Sequence, residues 1–352
     1  MRDRSPDTCF QFKKRGILVE KPSKMPKPGP YYPCLVEMAG IKDFPFDYAL
    51  YFSTDHHRGR GGIWLYLCNG VPSEAGNWKS YDHAVRDGDF DYLDSKPRKN
   101  PVFVDKIQGR HHTETPHANI VDGKVYMTYH HGGSFGLQPT LLATSSDGIN
   151  FERVNGPLDS IIIPAKLHGG HTGYFRWAPN PFHGVHWKYI GYSLHGGGDN
   201  YHSAMWGSND AISWKKIHVF TPREGYAMQD ENLIMIWHEI NPNAVERIGD
   251  DEYVLLSAGG NRASGGSARV VKLFEIFLEG DGKTLKRECR QVLPNGKPGD
   301  PDSEEAAEPT MVRIGDTWHL IYIGTTNKAK QNTIMAAIGN FNPDAAPSKV
   351  LA

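Results

Sequence analysis

Paired imidazoles with guanidinium groups and glycines beside them recur along this chain. Residues 54–62 read TDHHRGRGG, 110–114 RHHTE, 130–133 HHGG, 168–174 HGGHTGY and 195–199 HGGGD, while 259–262 (GGNR) and 304–308 (EEAAE) are related segments. Nine of the 17 histidines fall in them. Imidazole titrates near neutrality, guanidinium is a fixed cation, and glycine lets backbone approach a ligand. With aromatic walls from Tyr174, Trp177 and Tyr201, the set suits a polar, anionic, ring-shaped ligand, which an acidic sugar is. Arg58, Arg60, His130, His171, Trp177, His195 and Arg262 are therefore expected to bind substrate.

Carboxylates offer a second chemistry. Hydrolysis of a glycosidic bond needs two of them, about 5 Å apart for retention or about 6.5–9.5 Å for inversion. Glu37, Glu114 and Glu308 are expected at equivalent inner-strand entries, with Asp55 and Asp199 on return loops. For metals, His56, His57, His111, His112, His130 and His131 supply imidazoles, but there is no HExxH, and the four cysteines show no CxxC spacing. The motifs require no cofactor and leave a divalent cation on the molecular axis open.

These groups need elements that bring them to one face. Pro116, Tyr129 and Asp147 recur 63 residues later as Pro179, Tyr192 and Asp210, and Ser145–Phe151 (SSDGINF) parallels Ser208–Trp214 (SNDAISW). With 38 glycines, 24 prolines and no long amphipathic helical period, the pattern predicts short antiparallel strands in five units of about 60 residues, an all-β, five-bladed β-propeller. The units lie near 31–100, 101–163, 164–228, 229–300 and 301–352, preceded by an N-terminal edge strand and linker over 1–30 that is expected to pair with the last unit. In such blades the first strand leaves a face to which the second returns, so the histidine segments converge.

A net charge of −1 offers no electrostatic footprint for nucleic acid, and no apolar run is long enough to span a membrane. The opening residues lack the apolar core of a signal peptide, so a soluble protein is expected, with secretion left open. The thiols are expected to be free and buried.

The run LYFSTDHHRGRGGIWLYLC resembles the Tyr-x-x-(Ala/Ser)-x-x-His…Gly-Gly-Ile motif of β-propeller enzymes acting on rhamnose–glucuronate linkages and of ulvan lyases. ETPHANIVDGKVYMTYHHGG with LLATSSDGINFE is similar to their Ser-Pro-His…Met-Tyr-Phe-His-Gly and Ala-Thr-Ser-x-Asp-Gly-x-x-Phe runs, with His117 as the first histidine. Those relatives are described as seven-bladed; five units stand nearer to arabinanase-like glycoside hydrolases. The resemblance implies β-elimination on a uronate-containing or sulfated glycan. His57 and His112 then transfer protons, Tyr174 is a partner, Arg176 or Arg262 pairs with the carboxylate, and His117 joins the binding set. Hydrolysis by paired carboxylates, with Glu114 and Glu308 as candidates, is the alternative, and a non-catalytic glycan-binding propeller is a third reading.

Overall fold

The computed structural model describes residues 8–54, 61–105, 113–132, 137–154, 161–197, 200–220, 227–230, 233–261, 270–326 and 331–347. They are almost entirely β, with one short α-helix among them, α1 (Tyr81–Arg86). None of their helices is long and apolar enough to cross a membrane. All four cysteines are free and buried.

The strands come in antiparallel sets. After β1 (Phe10–Val19), β2 (Pro30–Glu37), β3 (Tyr48–Thr54), β4 (Trp64–Cys68) and β5 (Trp78–Ser80) pair in order. Next come β6 (Thr113–Val121), β7 (Lys124–His131) and β8 (Thr140–Ser145), with β9 (Glu152–Arg153) and β10 (Ile161–Ile163) both on β8. A third set is β11 (Arg176–Pro179), β12 (Tyr189–Gly197), β13 (Asn200–Ser208) and β14 (Lys215–Phe220). Then β15 (Ala227–Asp230), β16 (Leu233–Gly249), β17 (Glu252–Asn261), β18 (Val270–Glu279) and β19 (Leu285–Leu293) follow. The last set is β20 (Glu305–Ile314), β21 (Thr317–Thr326) and β22 (Gln331–Phe341), whose outer edge takes β1, from Phe10 opposite Phe341 to Val19 opposite Ile334. One parallel pair, Val271 with Glu305, joins the last two sets into a nine-stranded sheet.

Successive side chains of a strand point to opposite faces. Here both faces are covered, so apolar residues run almost continuously. On β7, Val125 and Met127 pack against Tyr51, Leu65 and Leu67 of the first set, while Tyr126 packs against Trp177, Tyr189 and Trp206 of the third. The third and fourth sets share a core of Ile190, Tyr192, Leu255 and Ile276. Val254, Leu256, Leu320 and Met335 lie between fourth and last, and Ile321, Ile323, Leu50 and Phe52 between last and first.

The first strands of the sets pack likewise: β2 against β6, β6 against β11, β11 against β16, β16 against β20, and β20 against β2. A cavity of about 390 Å³ is lined by the trailing halves of all five, including Glu37, Ile120, Pro179, Asn243 and Val312.

The 63-residue spacing holds for part of the unit. Asp147 accepts from the backbone N–H groups of Ile149 and Asn150, and Asp210 from those of Ile212 and Ser213 in the same way. Pro179 breaks the correspondence. Pro116 sits in a bulge between Glu114 and His117 at the leading end of β6, whereas Pro179 pairs with Tyr189 at the trailing end of β11, and Arg176 faces Tyr192. The longer connection between β11 and β12 accounts for the offset.

Candidate active site

At the leading end of four first strands the backbone turns through a left-handed residue: Tyr32 (φ 57°), Thr115 (φ 51°), Tyr174 (φ 57°) and Glu308 (φ 52°). Pro33, Pro116, Phe175 and Pro309 follow. Proline cannot donate to a ladder, so a bulge is where a strand tolerates it, and the bulge turns the preceding side chain toward the shared axis. Positive φ on a residue with a Cβ costs on the order of 1–3 kcal/mol and concentrates at functional sites.

The residue after each bulge bonds to a neighbouring strand. Cys34 Sγ accepts from the Ala118 N–H at 3.2 Å, His117 Nε2 meets the Trp177 carbonyl at 2.8 Å, and Thr310 Oγ1 accepts from the Leu35 N–H at 3.1 Å. Arg176 Nη1 and Asn241 Nδ2 both donate to the Pro309 carbonyl. This polar belt separates the bulged ends of the strands from the cavity at their trailing halves. His117 belongs to it, and burial, with Arg176 nearby, pushes its imidazole down to about 3, so the ring is neutral.

Two groups of side chains gather above the belt. In the first, Arg176 Nη2 donates to Glu308 Oε2, and the Glu308 N–H donates to Glu239 Oε2 at 3.0 Å. All three are buried. Burial and then the Glu239 charge drive the Glu308 carboxyl well above the usual range against the pull of Arg176. Two carboxyl groups thus lie beside one guanidinium. In the second group, Tyr174 and Tyr32 share a hydroxyl contact of 2.9 Å, and His130 stacks on Tyr174 with centroids 5.6 Å apart. His171 stands 5.6 Å from both rings. Thr115 Oγ1 contacts His130 Nδ1 at 2.6 Å, and His130 Nε2 lies 3.8 Å from Glu114 Oε2. Gly173 fits between the imidazoles: a Cβ there would meet His130 Cβ at 2.9 Å and His171 Cε1 at 2.9 Å.

Of the expected residues, the structure places Glu308 with Arg176 in the first group and Glu114, His130, His171 and Tyr174 in the second. Trp177, expected as a sugar wall, is fully buried instead, edge-on to Tyr189 and Trp214 in the core between the second and third sets. Alternation explains the correction: with Arg176 aimed at the axis, its neighbour must face the inter-sheet core. His195 lies further out, on β12. His57, His112, Arg58, Arg60 and Arg262 lie outside the described residues. No cluster of three or more His, Cys, Asp or Glu among the described residues is arranged to hold a metal ion.

Sequence reasoning misses Glu239. It lies in the apolar run LIMIWHEI, which reads as plain strand, just ahead of the Asn241-Pro242 pair at which the fourth unit's repeat becomes visible. The signal within reach is a glutamate two residues ahead of an Asn-Pro, on a strand in the same position as that of Glu308-Pro309.

No family model and no curated protein matches the sequence. Solved structures do match over nearly the whole chain. A BT0996–RGII complex superposes with a TM-score of 0.60 at 9% identity, covering 92% of this protein and 91% of that one. An endo-arabinase from Bacteroides thetaiotaomicron gives 0.55 at 8% identity, covering 93% and 98%. The catalytic domain of a GH62 α-L-arabinofuranosidase from Coprinopsis cinerea gives 0.53 at 14%, covering 95% and 98%. At such identities the likeness is one of fold.

Proposed function

We propose that the chain is a five-bladed β-propeller glycoside hydrolase acting on a polysaccharide or oligosaccharide. The cyclic packing of β2, β6, β11, β16 and β20, with an apolar core between each pair of successive sets, supports five blades, which β1 completes by pairing with β22. The observation that carries the chemistry is the buried Glu239–Glu308 pair against Arg176 at the leading ends of the inner strands, on a fold shared with glycan-cleaving enzymes.

Burial and the neighbouring Glu239 favour the protonated form of Glu308, which in this reading serves as the general acid: its proton passes to the glycosidic oxygen as the bond from that oxygen to the anomeric carbon breaks. Glu239 keeps the proton on Glu308, and Arg176 fixes the pair in place. Glu114 is the second carboxylate, which takes the proton of the water that adds to the anomeric carbon or attacks that carbon itself. His130 and Tyr174 line the sugar site beside it, and His117 acts only by positioning the strands.

Elimination remains the second reading, favoured by the stacked His130–Tyr174 pair and the shared Tyr32–Tyr174 hydroxyl contact. Activity of single-site variants on arabinan and pectic oligosaccharides separates the two. Hydrolysis predicts that Glu308→Gln and Glu114→Gln each lose most turnover while His57→Ala retains it; the reverse order sinks the hydrolase assignment.

A further inference from the structure

One group of side chains lies outside the acid site. His195, near the end of β12, faces His202 across the ladder to β13. His168 places its ring 5.8 Å from that of His195 and edge-on to Trp206 at 4.9 Å. Lys216 on β14 reaches His168 Nδ1 at 3.4 Å. The cluster is built rather than incidental, because His168 ends a short 3-10 turn held against β12 by Gly169. That glycine has φ of 80°, and a Cβ on it would lie 2.7 Å from Gly196 Cα.

Lys216 carries the fixed positive charge of the group, and each imidazole can donate a hydrogen bond. Among the described residues, no aspartate or glutamate forms an ion pair with any of the four. His195 Nε2 and His202 Nδ1 are buried and have no hydrogen-bond partner among the described residues. The groups acting on the His195 imidazole are Lys216, His168 and His202, and all three oppose its protonation, as burial does. A buried donor or acceptor left unmatched is costly, so two here favour a ligand that pairs with them. An ammonium and three imidazole donors together suit an oxyanion, which would accept from each.

We infer that His168, His195, His202 and Lys216 form an anion subsite for a carboxylate or sulfate group on the substrate. It adjoins the second of the two groups described above. His171 bridges Gly196, and the Leu194 N–H donates to the Gly173 carbonyl at 3.0 Å, so this end of β12 runs alongside the His130–His171–Tyr174 group. The subsite adds to the hydrolase reading a preference for glycans that carry an acid group beside the cleaved sugar, and it rests on that reading for the source of the oxyanion.

The test is titration of the whole chain with inorganic sulfate and, separately, with a galacturonate oligosaccharide, following the histidine side-chain NMR signals. Signals of His195 and His202 should move with at least one of the two, and the probe that binds more tightly identifies the group. Lys216 is exposed, so Lys216→Met keeps the fold, and it should weaken binding about tenfold, the scale of a charge-assisted contact. In turnover, the same variant should raise KM for an acidic glycan. Histidine signals unmoved by either probe, or binding equal in wild type and Lys216→Met, would overturn the subsite. Because sulfate binding is read without turnover, a wild-type protein inactive on every glycan defeats the hydrolase reading alone.

Discussion

Glu308 combines a left-handed backbone, complete burial, a guanidinium partner and a second carboxyl, and each has a measurable consequence. In the hydrolase reading its proton must be present for catalysis, so activity should persist above the ordinary carboxylate range and fall as pH rises through the raised pKa. Glu239→Gln removes the neighbouring charge that helps raise it, and the falling limb of kcat against pH should move to lower pH. An unmoved limb would separate Glu239 from the proton. Glu308→Gln should lower kcat about 10²–10⁴-fold with the fold intact. Gly173→Ala has no room between His130 and His171, and should lower activity by displacing those rings while circular dichroism stays unchanged.

The belt histidine carries a different consequence. The His117 imidazole drops from 6.5 to about 3 on folding, so below pH 6.5 the unfolded chain takes up a proton that the native one refuses. Its contribution to stability is present above pH 6.5 and is lost as pH falls toward 3. His117→Gln should flatten that acid limb in denaturant titrations.

Among the elements, β1 shows how a distant segment completes a sheet. Phe10 and Phe12 are buried among Val254, Leu273, Trp318 and Leu320, so Phe12→Ala should cost about 3–5 kcal/mol by chemical denaturation. The Phe10 N–H donates to Glu275 Oε2 at 3.2 Å, and burial pushes the Glu275 carboxyl from 4.5 to about 7. A raised carboxyl favours folding most below pH 4.5 and loses that advantage as pH climbs to about 7. Glu275→Gln should therefore remove a decline of up to roughly 3 kcal/mol across that interval, read by thermal melts.

Strand content was legible in the sequence because turn signals such as Asp122-Gly123 are local, and so were the Glu114 and Glu308 positions, each next to or near a proline. Side-chain direction was not. Arg176 and Trp177 are adjacent, and a shift of one residue exchanges which faces the axis and which the core; only the ladder to Tyr192 fixes it. Glu239 stayed hidden because an apolar run is read by its period, and nothing local marks the one carboxylate that a neighbouring strand will meet.

In the whole molecule, the polar belt of Cys34, His117, Arg176, Asn241 and Thr310 divides the axis into two ends of different character. The carboxyls, imidazoles and tyrosines lie at the end where the inner strands begin, and the open cavity of about 390 Å³ lies at the other, among Val36, Ile120, Ala178 and Val245. The cavity and the ionisable side chains thus lie at opposite ends. Strained backbone and buried titratable groups coincide at the end where the inner strands begin. The fold is shared with glycan-cleaving enzymes at identities too low to carry over their active sites, so the chemistry here rests on this protein's own residues.

The most direct measurement is a single reaction followed in two ways, with arabinan and uronate-containing pectic oligosaccharides as substrates and reducing ends and absorbance near 235 nm recorded together. Hydrolysis mediated by Glu308 predicts that reducing ends accumulate with no rise in absorbance, and that Glu308→Gln abolishes the accumulation. Absorbance rising in step with the reducing ends, and persisting in Glu308→Gln, would show an unsaturated uronate formed by elimination and contradict the account.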